Sequence, residues 1–106
     1  MATTITANGI NFPDGSEGSP SIGGTDTNTG LFTGSDIIGF STGGSERLRI
    51  DASGNINIAN DSGKLQLGTS EDLRLYHDGS NSFVLNQTGK LFLRSDTRIV
   101  LQDSGG

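Results

Sequence analysis

Pairs of large apolar residues at positions i and i+2 recur along the chain, and this spacing limits the fold more than any other feature. Eight such pairs follow one another, at intervals of 8 to 10 residues. They are Ile38/Phe40, Leu48/Ile50, Ile56/Ile58, Leu65/Leu67, Leu73/Leu75, Phe83/Leu85, Leu91/Leu93 and Ile99/Leu101. Residues i and i+2 share one face of a β-strand, whereas a helical face repeats about every 3.6 residues. The pattern therefore predicts eight short strands and no helix.

Short polar connectors that contain glycine separate these pairs. Four of them are DASGN at 51–55, NDSGK at 60–64, HDGSN at 77–81 and NQTGK at 86–90. A glycine placed shortly after Asp or Asn suits a type I turn that is closed by a residue with positive φ, as in common hairpin loops. Such turns reverse the chain, so the pattern predicts an all-β, short-stranded antiparallel meander.

The amount of apolar material raises the question of what covers this meander. Leu, Ile, Val and Phe number 26 of 106 residues, and the chain has no cysteine with which to cross-link itself. A meander with two inward side chains per strand forms one layer, whereas a folded domain needs two. We therefore expect a homotrimer, a β-prism in which three chains close their apolar faces around a core made of the eight pairs.

A second assembly remains open at this point. Leu48 precedes Leu73 by 25 residues, and Leu65 precedes Leu91 by 26. These intervals suit three strands per coil, so a β-solenoid or a triple-stranded β-helix is the alternative to the prism.

The residues between the paired positions belong to the opposite face of each strand. They are polar in four strands, as Arg49, Asn57, Gln66 and Arg74, and apolar in the last three, as Val84, Phe92 and Val100. Strands that are apolar on both faces are buried on both faces, and exposed apolar patches mark contacts. The three apolar residues are therefore expected either to be buried between subunits or to form a patch for a partner.

Residues 1–30 differ from residues 31–106, which we predict to be the trimeric body. Asn8-Gly9 lies between short alternations of polar and apolar residues, which predicts either a small hairpin or an extended docking arm. The contact residues of such an arm are Ile5, Ile10 and Phe12. The remainder, up to residue 30, is rich in Gly, Ser, Thr, Pro and Asp and is predicted to be a linker.

The distribution of charge excludes two classes of partner. All seven Lys and Arg residues lie in residues 47–98, so residues 1–46 carry five carboxylates with no compensating cation. Nucleic acids and anionic lipids require clustered positive charge, so we expect neither as a partner. No apolar run approaches the roughly 18 residues that span a bilayer, and the first ten residues lack a secretion-signal pattern. We expect no membrane association and synthesis in the cytoplasm.

Residues that could carry chemistry are sparse. His77 is the single histidine, and with Tyr76 as a stacking platform it could line a shallow glycan-binding surface, although a plain turn is the simpler interpretation. The Asp-rich and Asn-rich connectors lack the acidic residue that completes a calcium loop, and no nucleophile-elbow motif is present. We expect no enzymatic activity, no metal and no cofactor.

Three stretches cover over half of the chain: NGINFPDG at 8–15, TGLFTGSDIIGFSTGGSERLRIDASGNI at 29–56 and LGTSEDLRLYHDGSNSFVLN at 67–86. They resemble modules of phage fibres and other virion-appendage proteins, in particular those of phages that infect marine cyanobacteria. The resemblance implies a trimeric β protein of the virion, made in the host cytoplasm, and docked on capsid or tail proteins through its N-terminal arm. Because the chain is short for a fibre, an appendage or a capsid-decoration protein is equally expected. The alternatives are a receptor-binding module for host-surface glycans and a fragment of a polysaccharide-degrading tailspike.

Overall fold

The structure, a computed structural model, describes residues 4–105 and is all-β over that range. In chain order the strands are β1 (Thr4–Thr6), β2 (Gly9–Asn11), β3 (Gly15–Ser16), β4 (Ser19–Pro20), β5 (Ile22–Gly23), β6 (Gly30–Gly34), β7 (Ile37–Thr42), β8 (Ser45–Ile50), β9 (Ile56–Asn57), β10 (Leu65–Leu67), β11 (Leu73–His77) and β12 (Ser82–Asn86). Each pairs antiparallel with a strand next to it in sequence, which confirms the predicted antiparallel character. The described part of the chain holds no helix that could cross a membrane.

The chain folds as two compact units that divide between Gly63 and Lys64. In the first unit, β5 to β9 form one five-stranded sheet, and the hairpins β1–β2 and β3–β4 are separate two-stranded pairs. In the second unit, β10 to β12 form a three-stranded sheet. The β1–β2 hairpin fulfils one of the two predictions for the Asn8-Gly9 region, with Thr6 opposite Gly9.

The segment predicted to be a linker takes part in this structure. Its β5 strand is the edge of the five-stranded sheet, and its β3–β4 hairpin is held against β6 by Asp14. The Asp14 carbonyl accepts a hydrogen bond from the Thr33 N–H at 2.8 Å, and the Asp14 Oδ1 accepts a second from the Thr33 hydroxyl at 2.8 Å. The Glu17 Oε2 accepts another from the Glu46 N–H at 3.0 Å. Short polar side chains thus anchor a segment that has too few apolar residues to pack by itself.

A bulge in β8 sets which residues of the five-stranded sheet share a face. The two-residue turn after β7 brings Ser41 opposite Glu46, but Phe40 lies opposite Leu48, so Arg47 is the extra residue. A one-residue shift in pairing moves every following side chain to the other face. The bulge therefore places Phe40 and Leu48 on the same face as cross-strand neighbours.

Phe32 is the one apolar side chain that is buried among residues 4–105, with 5% of its surface exposed. It lies opposite Gly39 of β7, and the ring covers the space where a side chain at position 39 would stand. A Cβ at that position would lie 2.6 Å from both Cε atoms of Phe32. The core of the first unit is therefore small, and it depends on a glycine next to an aromatic ring.

The strand predicted at Ile56/Ile58 is shorter than expected, and the predicted place of Ile58 in the sheet is wrong. β9 holds two residues and ends at Asn57, so Ile58 lies outside the strands. Ile58 is half-buried, and its Cγ2 fills the space that a Cβ at Gly63 would occupy. The cause is the turn that follows, in which the Asn60 Oδ1 accepts the N–H groups of Ser62 and Gly63. This turn begins so soon after β9 that the chain leaves the sheet before the second residue of the pair can join it.

The second unit corrects one prediction about faces. Leu75 lies opposite both Leu65 and Val84, whereas Phe83 lies opposite Tyr76. The predicted pairs Leu73/Leu75 and Phe83/Leu85 therefore lie on opposite faces of the sheet, and Val84 shares the face of Leu75. The cause is the length of the β11–β12 loop, in which four residues separate His77 from its partner Ser82. With an even number of loop residues, odd-numbered positions of β11 pair with even-numbered positions of β12, so Phe83 and Leu85 face away from Leu73 and Leu75.

The predicted strands at Leu91/Leu93 and Ile99/Leu101 are wrong for this chain on its own, since residues 87–105 contain no strand. Around residues 92 and 100 the sequence is apolar at consecutive positions, so a strand there needs cover on both faces. In the single chain neither face of these segments is covered, and their large apolar residues are exposed.

The DASGN connector confirms the turn chemistry that its sequence predicts. Gly54 has a φ of +86° and its N–H bonds to the Asp51 carbonyl at 2.9 Å, while the Asp51 N–H bonds to the Asn55 carbonyl at 3.0 Å. The Asp51 carboxylate accepts the Asn55 and Ser53 N–H groups at 2.9 and 3.0 Å and the Asn57 side-chain amide at 2.9 Å. The Asn55 N–H, followed by the Asn57 amide, lowers the pKa of Asp51 from its ordinary value of 3.8.

Candidate functional site

On one face of the five-stranded sheet, every strand presents at least one large apolar side chain. We call this face the open face. Antiparallel partners stand on the same face, so the register defines two rows across the sheet. The first row is Ile22, Leu31, Phe40 and Leu48, and the second is Thr33, Ile38, Ile50 and Ile56. No charged side chain belongs to either row. The structure therefore brings together five predicted core residues, namely Ile38, Phe40, Leu48, Ile50 and Ile56, whereas the predicted core residue Ile58 follows β9 and belongs to neither row.

The open face is accessible to solvent in the single chain. Ile38 is 42% exposed and Ile56 is 70% exposed, while Phe40 and Leu48 are half-buried. In the second row, Ile38, Ile50 and Ile56 are exposed to solvent and Thr33 is half-buried. Contiguous exposed apolar surface is uncommon in soluble monomers and is typical of interaction sites, so the open face is a candidate interaction surface.

The opposite face of the same sheet carries a network of polar side chains beside the buried Phe32 ring. The Arg49 guanidinium pairs with the Glu46 carboxylate at 2.6 Å, and Arg49 lies opposite Asn57. Asn57 in turn donates a hydrogen bond to the Asp51 carboxylate. This network, together with Phe32 over Gly39, completes that face within the chain. The prediction that Arg49 and Asn57 lie on the face opposite the paired apolar residues is confirmed.

Three members of the open face were not predicted to be core residues, namely Thr33 and the two apolar residues Ile22 and Leu31. Ile22 and Leu31 lie in or next to the Gly-rich segment that was interpreted as a linker. The available signal was their spacing, since Ile22 precedes Leu31 by nine residues and Leu31 precedes Phe40 by nine. Both intervals fall within the range of the recognised pairs, but each of these strands presents one large apolar residue instead of two.

The second unit has an exposed apolar face of its own. Leu65 and Leu67 of β10, Leu73 and Leu75 of β11 and Val84 of β12 share it, and Leu65, Leu67, Leu75 and Val84 are exposed. Val84 thus adds to a row of predicted core residues instead of forming a separate patch with Phe92 and Val100. The latter two are exposed and lie outside the strands.

An aromatic cluster occupies the other face of the second sheet. The Tyr76 and Phe83 rings are stacked, with centroids 4.8 Å apart and planes inclined by 19°. The Lys64 ammonium lies 4.9 Å from the centre of the Tyr76 ring. Phe83 was not among the predicted glycan contacts, and its position opposite Tyr76 follows from the four-residue loop.

Tyr76 and His77 do not share a surface. They are consecutive residues of β11, so their side chains stand on opposite faces of the strand. The His77 Nδ1 lies 3.0 Å from the Ser82 hydroxyl, its cross-strand neighbour. His77 therefore helps to close the hairpin, and of the predicted glycan pair only Tyr76 belongs to the aromatic face.

Asp78 is a turn residue. Its Oδ1 accepts the Asn81 N–H at 2.8 Å and the Ser80 N–H at 2.9 Å, and these bonds lower the pKa of Asp78 below its ordinary value, Asn81 having the larger effect. An acid with a lowered pKa is a poor proton donor near neutral pH. Within residues 4–105, no three His, Asp or Glu side chains are grouped so that they could hold a metal ion.

The proposed docking residues of the arm are exposed on or beside the first hairpin. Ile5 lies directly opposite Ile10, with exposed fractions of 78% and 58%, and Phe12 follows β2 and is also exposed. Ile5 and Ile10 therefore present one small apolar surface on a two-stranded hairpin.

Comparison of the chain with protein-family models, with curated proteins and with solved structures found no match.

Proposed function

We propose that this chain is a structural, non-enzymatic component of a phage virion, in which three copies assemble through their apolar faces. The observation that carries the proposal is the open face, because its large apolar side chains have no cover in the single chain. Cover by identical copies is the economical solution, because every chain carries both this face and further exposed apolar residues that can cover the face of a neighbour.

The exposed apolar side chains support an obligate assembly. Ile38 and Ile56 of the open face are 42% and 70% exposed, and Leu65 and Val84 of the second sheet are 50% and 60% exposed. Contiguous apolar surface of this kind is uncommon in soluble monomers, so we expect folding and association to be coupled and the separated chain to be unstable.

Three copies around an axis suit the dimensions of the sheet. β6, β7 and β8 have five or six residues each, so the open face is roughly 17–20 Å wide at 3.3–3.4 Å per residue. Three sheets of this width can surround a threefold axis with their open faces turned inward. A trimeric β-prism is the arrangement we favour, and a triple-stranded β-helix is the alternative.

The place in a virion is inferred from the sequence resemblance and from the arm. The stretches at 8–15, 29–56 and 67–86 resemble modules of virion appendages, and the arm presents Ile5 and Ile10 at its surface. We therefore assign the β1–β2 hairpin and Phe12 to docking on a capsid or tail protein. The chain acts as a fibre, appendage or capsid-decoration protein, made in the host cytoplasm and incorporated into the particle.

Three measurements test the proposal. Light scattering on the intact chain should give three times the 11.0 kDa chain mass, and mass spectrometry of gradient-purified particles of the encoding phage should find the chain at a fixed stoichiometry. Deletion of residues 1–12, which leaves the β3–β4 hairpin in place, should abolish incorporation while the trimer persists. A well-folded monomer at micromolar concentration would refute the assembly, and a truncated chain that still enters particles would refute the docking arm.

Recognition of host-surface glycans is the second candidate, and the stacked Tyr76–Phe83 pair favours it because flat aromatic surfaces pack against sugar rings. The test is binding of the intact protein to host cells with Tyr76→Ala, and His77→Ala on the opposite face is the control. Loss of binding for Tyr76→Ala alone supports recognition. Equal binding by both variants, or no binding by the unmodified protein, contradicts it.

A further inference from the structure

Two short segments near the C-terminus carry the most exposed apolar side chains of the second unit. They are KLFLR at 90–94 and RIVLQ at 98–102. Their large apolar residues are all exposed: Leu91, Phe92, Leu93, Ile99, Val100 and Leu101. Each segment has three such residues in succession, flanked by a cation on at least one side. We refer to residues 90–102 as the tail.

The backbone of the tail is available for pairing. Over residues 90–102 the described hydrogen bonds of backbone N–H groups are those of Thr97 and Arg98 with the Ser95 hydroxyl, at 3.3 and 3.2 Å. Those bonds form the bend between the two apolar segments. The segments themselves are neither helix nor strand. Exposed backbone of this kind can add to a sheet, because each N–H and C=O group still requires a partner when it is buried.

The apolar pattern of the tail requires cover on two sides. In an extended segment the Phe92 side chain points away from those of Leu91 and Leu93, and Val100 points away from Ile99 and Leu101. A strand of this composition is stable only between two apolar layers. One such layer is the open face, which lacks cover of its own.

Charge also matches the tail to the first unit. Residues 1–63 hold seven carboxylates and two arginines, a net charge of −5. The tail holds Lys90, Arg94, Arg98 and Asp96, a net charge of +2. Asp36, in the β6–β7 turn, lies at the end of the five-stranded sheet at which the second row of the open face is found.

From these observations we propose that the tail of one copy lies across the open face of a neighbouring copy and forms strands only there. The proposal rests on the proposed function, since it requires the homo-oligomer. A second copy is the occupant because every chain supplies one tail and one open face, so a closed ring leaves neither uncovered. Assembly and folding of the tail are therefore one step. A chain whose open face is still uncovered can bind the tail of another copy.

Cross-linking on the full chain tests the placement. A photoreactive phenylalanine analogue, p-benzoylphenylalanine, replaces Phe92, and ¹⁵N-labelled and unlabelled chains are assembled from a mixture. The expected product joins position 92 of one isotopic form to residues 31–50 of the other. Products confined to one isotopic form, products with other residues only, or the absence of products would overturn the proposal.

Hydrogen exchange on the unmodified chain tests strand formation without any substitution. Peptides that cover residues 90–102 should exchange about 100-fold or more slowly in the oligomer than peptides from an unpaired segment, because strand amides exchange only on opening. Fast exchange of the tail in a sample of confirmed trimeric mass overturns this inference and leaves the proposed function standing. A monomeric mass overturns both.

A pair of substitutions supplies the matched control. Phe92→Asp places a charge in the proposed interface, whereas Thr97→Asp places the same charge in the bend between the two segments. We expect Phe92→Asp to weaken association by at least about tenfold, on the basis of the burial of one large apolar side chain, and Thr97→Asp to leave it within about twofold. Equal effects of the two variants would contradict the proposal.

Discussion

Replacing Gly39 with alanine tests whether the Phe32–Gly39 contact is the centre of the first unit. Gly39 has no positive φ, so the substitution causes no backbone strain. The added Cβ would lie 2.6 Å from both Cε atoms of Phe32 and closer still to the Cζ atom between them. Carbon atoms in contact stand roughly 3.5–4.0 Å apart, so the ring must move by about 1 Å or more, or the strands must separate. The contact therefore determines the effect of the substitution.

The expected magnitude follows from the two ways in which the structure can respond. If the ring stays, overpacking costs about 1–3 kcal/mol, and if the ring leaves, the burial of one Phe is lost, about 1.5–3 kcal/mol. Both routes give a loss of about 2 kcal/mol in the free energy of unfolding. The assay is urea unfolding followed by circular dichroism, at one fixed chain concentration because the stability of an oligomer depends on it.

Gly18→Ala is the matched control, since Gly18 also lacks a positive φ and a Cβ there meets nothing within 4 Å. We expect it to change stability by less than about 0.5 kcal/mol, as exposed substitutions do. Adding Phe32→Leu to Gly39→Ala should recover part of the loss because the clashing ring atoms are removed. Equal unfolding midpoints for Gly39→Ala and Gly18→Ala would refute the argument.

Three further predictions concern the open face, the β3–β4 hairpin and pH. Phe40→Asp should raise the concentration at which the oligomer dissociates by at least about tenfold, whereas Thr27→Asp, in an exposed loop, should leave it unchanged. Sedimentation measures both, and an unchanged assembly for Phe40→Asp would show that the open face is not an interface. Asp14→Ala removes the acceptor of the Thr33 hydroxyl and should speed amide exchange in β3 and β4, and unchanged exchange would contradict the anchoring. Hydrogen bonds hold the pKa of Asp51 below 3.8 in the folded chain, so Asp51 stabilises the fold above that pH and the contribution is lost as pH falls through the lower folded pKa. Asp51→Asn should therefore flatten the acid limb of a pH–stability curve, and an unaltered limb would contradict this assignment.

Local sequence signals predicted the strands and turns well where each strand needs cover on one face only. The pairs in β7, β8, β10, β11 and β12 were found from their period of two, and the connector at 51–55 from its glycine with positive φ. Both patterns depend on residues that are close in sequence, so they can be recognised without knowledge of the tertiary structure. The same signals failed for the tail, because its consecutive apolar residues demand cover on both faces, and no strand forms there in the single chain. They also failed for Ile58, because the Asn60 turn ends the strand one residue before it.

Sequence alone could not predict the membership of the faces. The even-numbered β11–β12 loop moved Phe83 and Leu85 away from Leu73 and Leu75, and the Arg47 bulge placed Phe40 beside Leu48. Both effects depend on pairing register, which a pattern of apolar pairs does not contain. Tyr76 and His77 looked like one surface because the sequence placed His77 in the connector, whereas β11 extends through His77 and consecutive strand residues face opposite sides.

The sequence by itself determined an all-β, antiparallel chain with more apolar strand surface than one layer can hide, because residue period and turn glycines act locally. Only the tertiary structure decided that Ile22 and Leu31 complete the open face, that Phe32 packs on Gly39, and that the opposite face is closed by Arg49 and Glu46. The physical reason is that membership of a face depends on the register between neighbouring strands, which loop length and the bulge in β8 set. A change of one residue in a loop or in the bulge would move the side chains of the strand that follows to the other face.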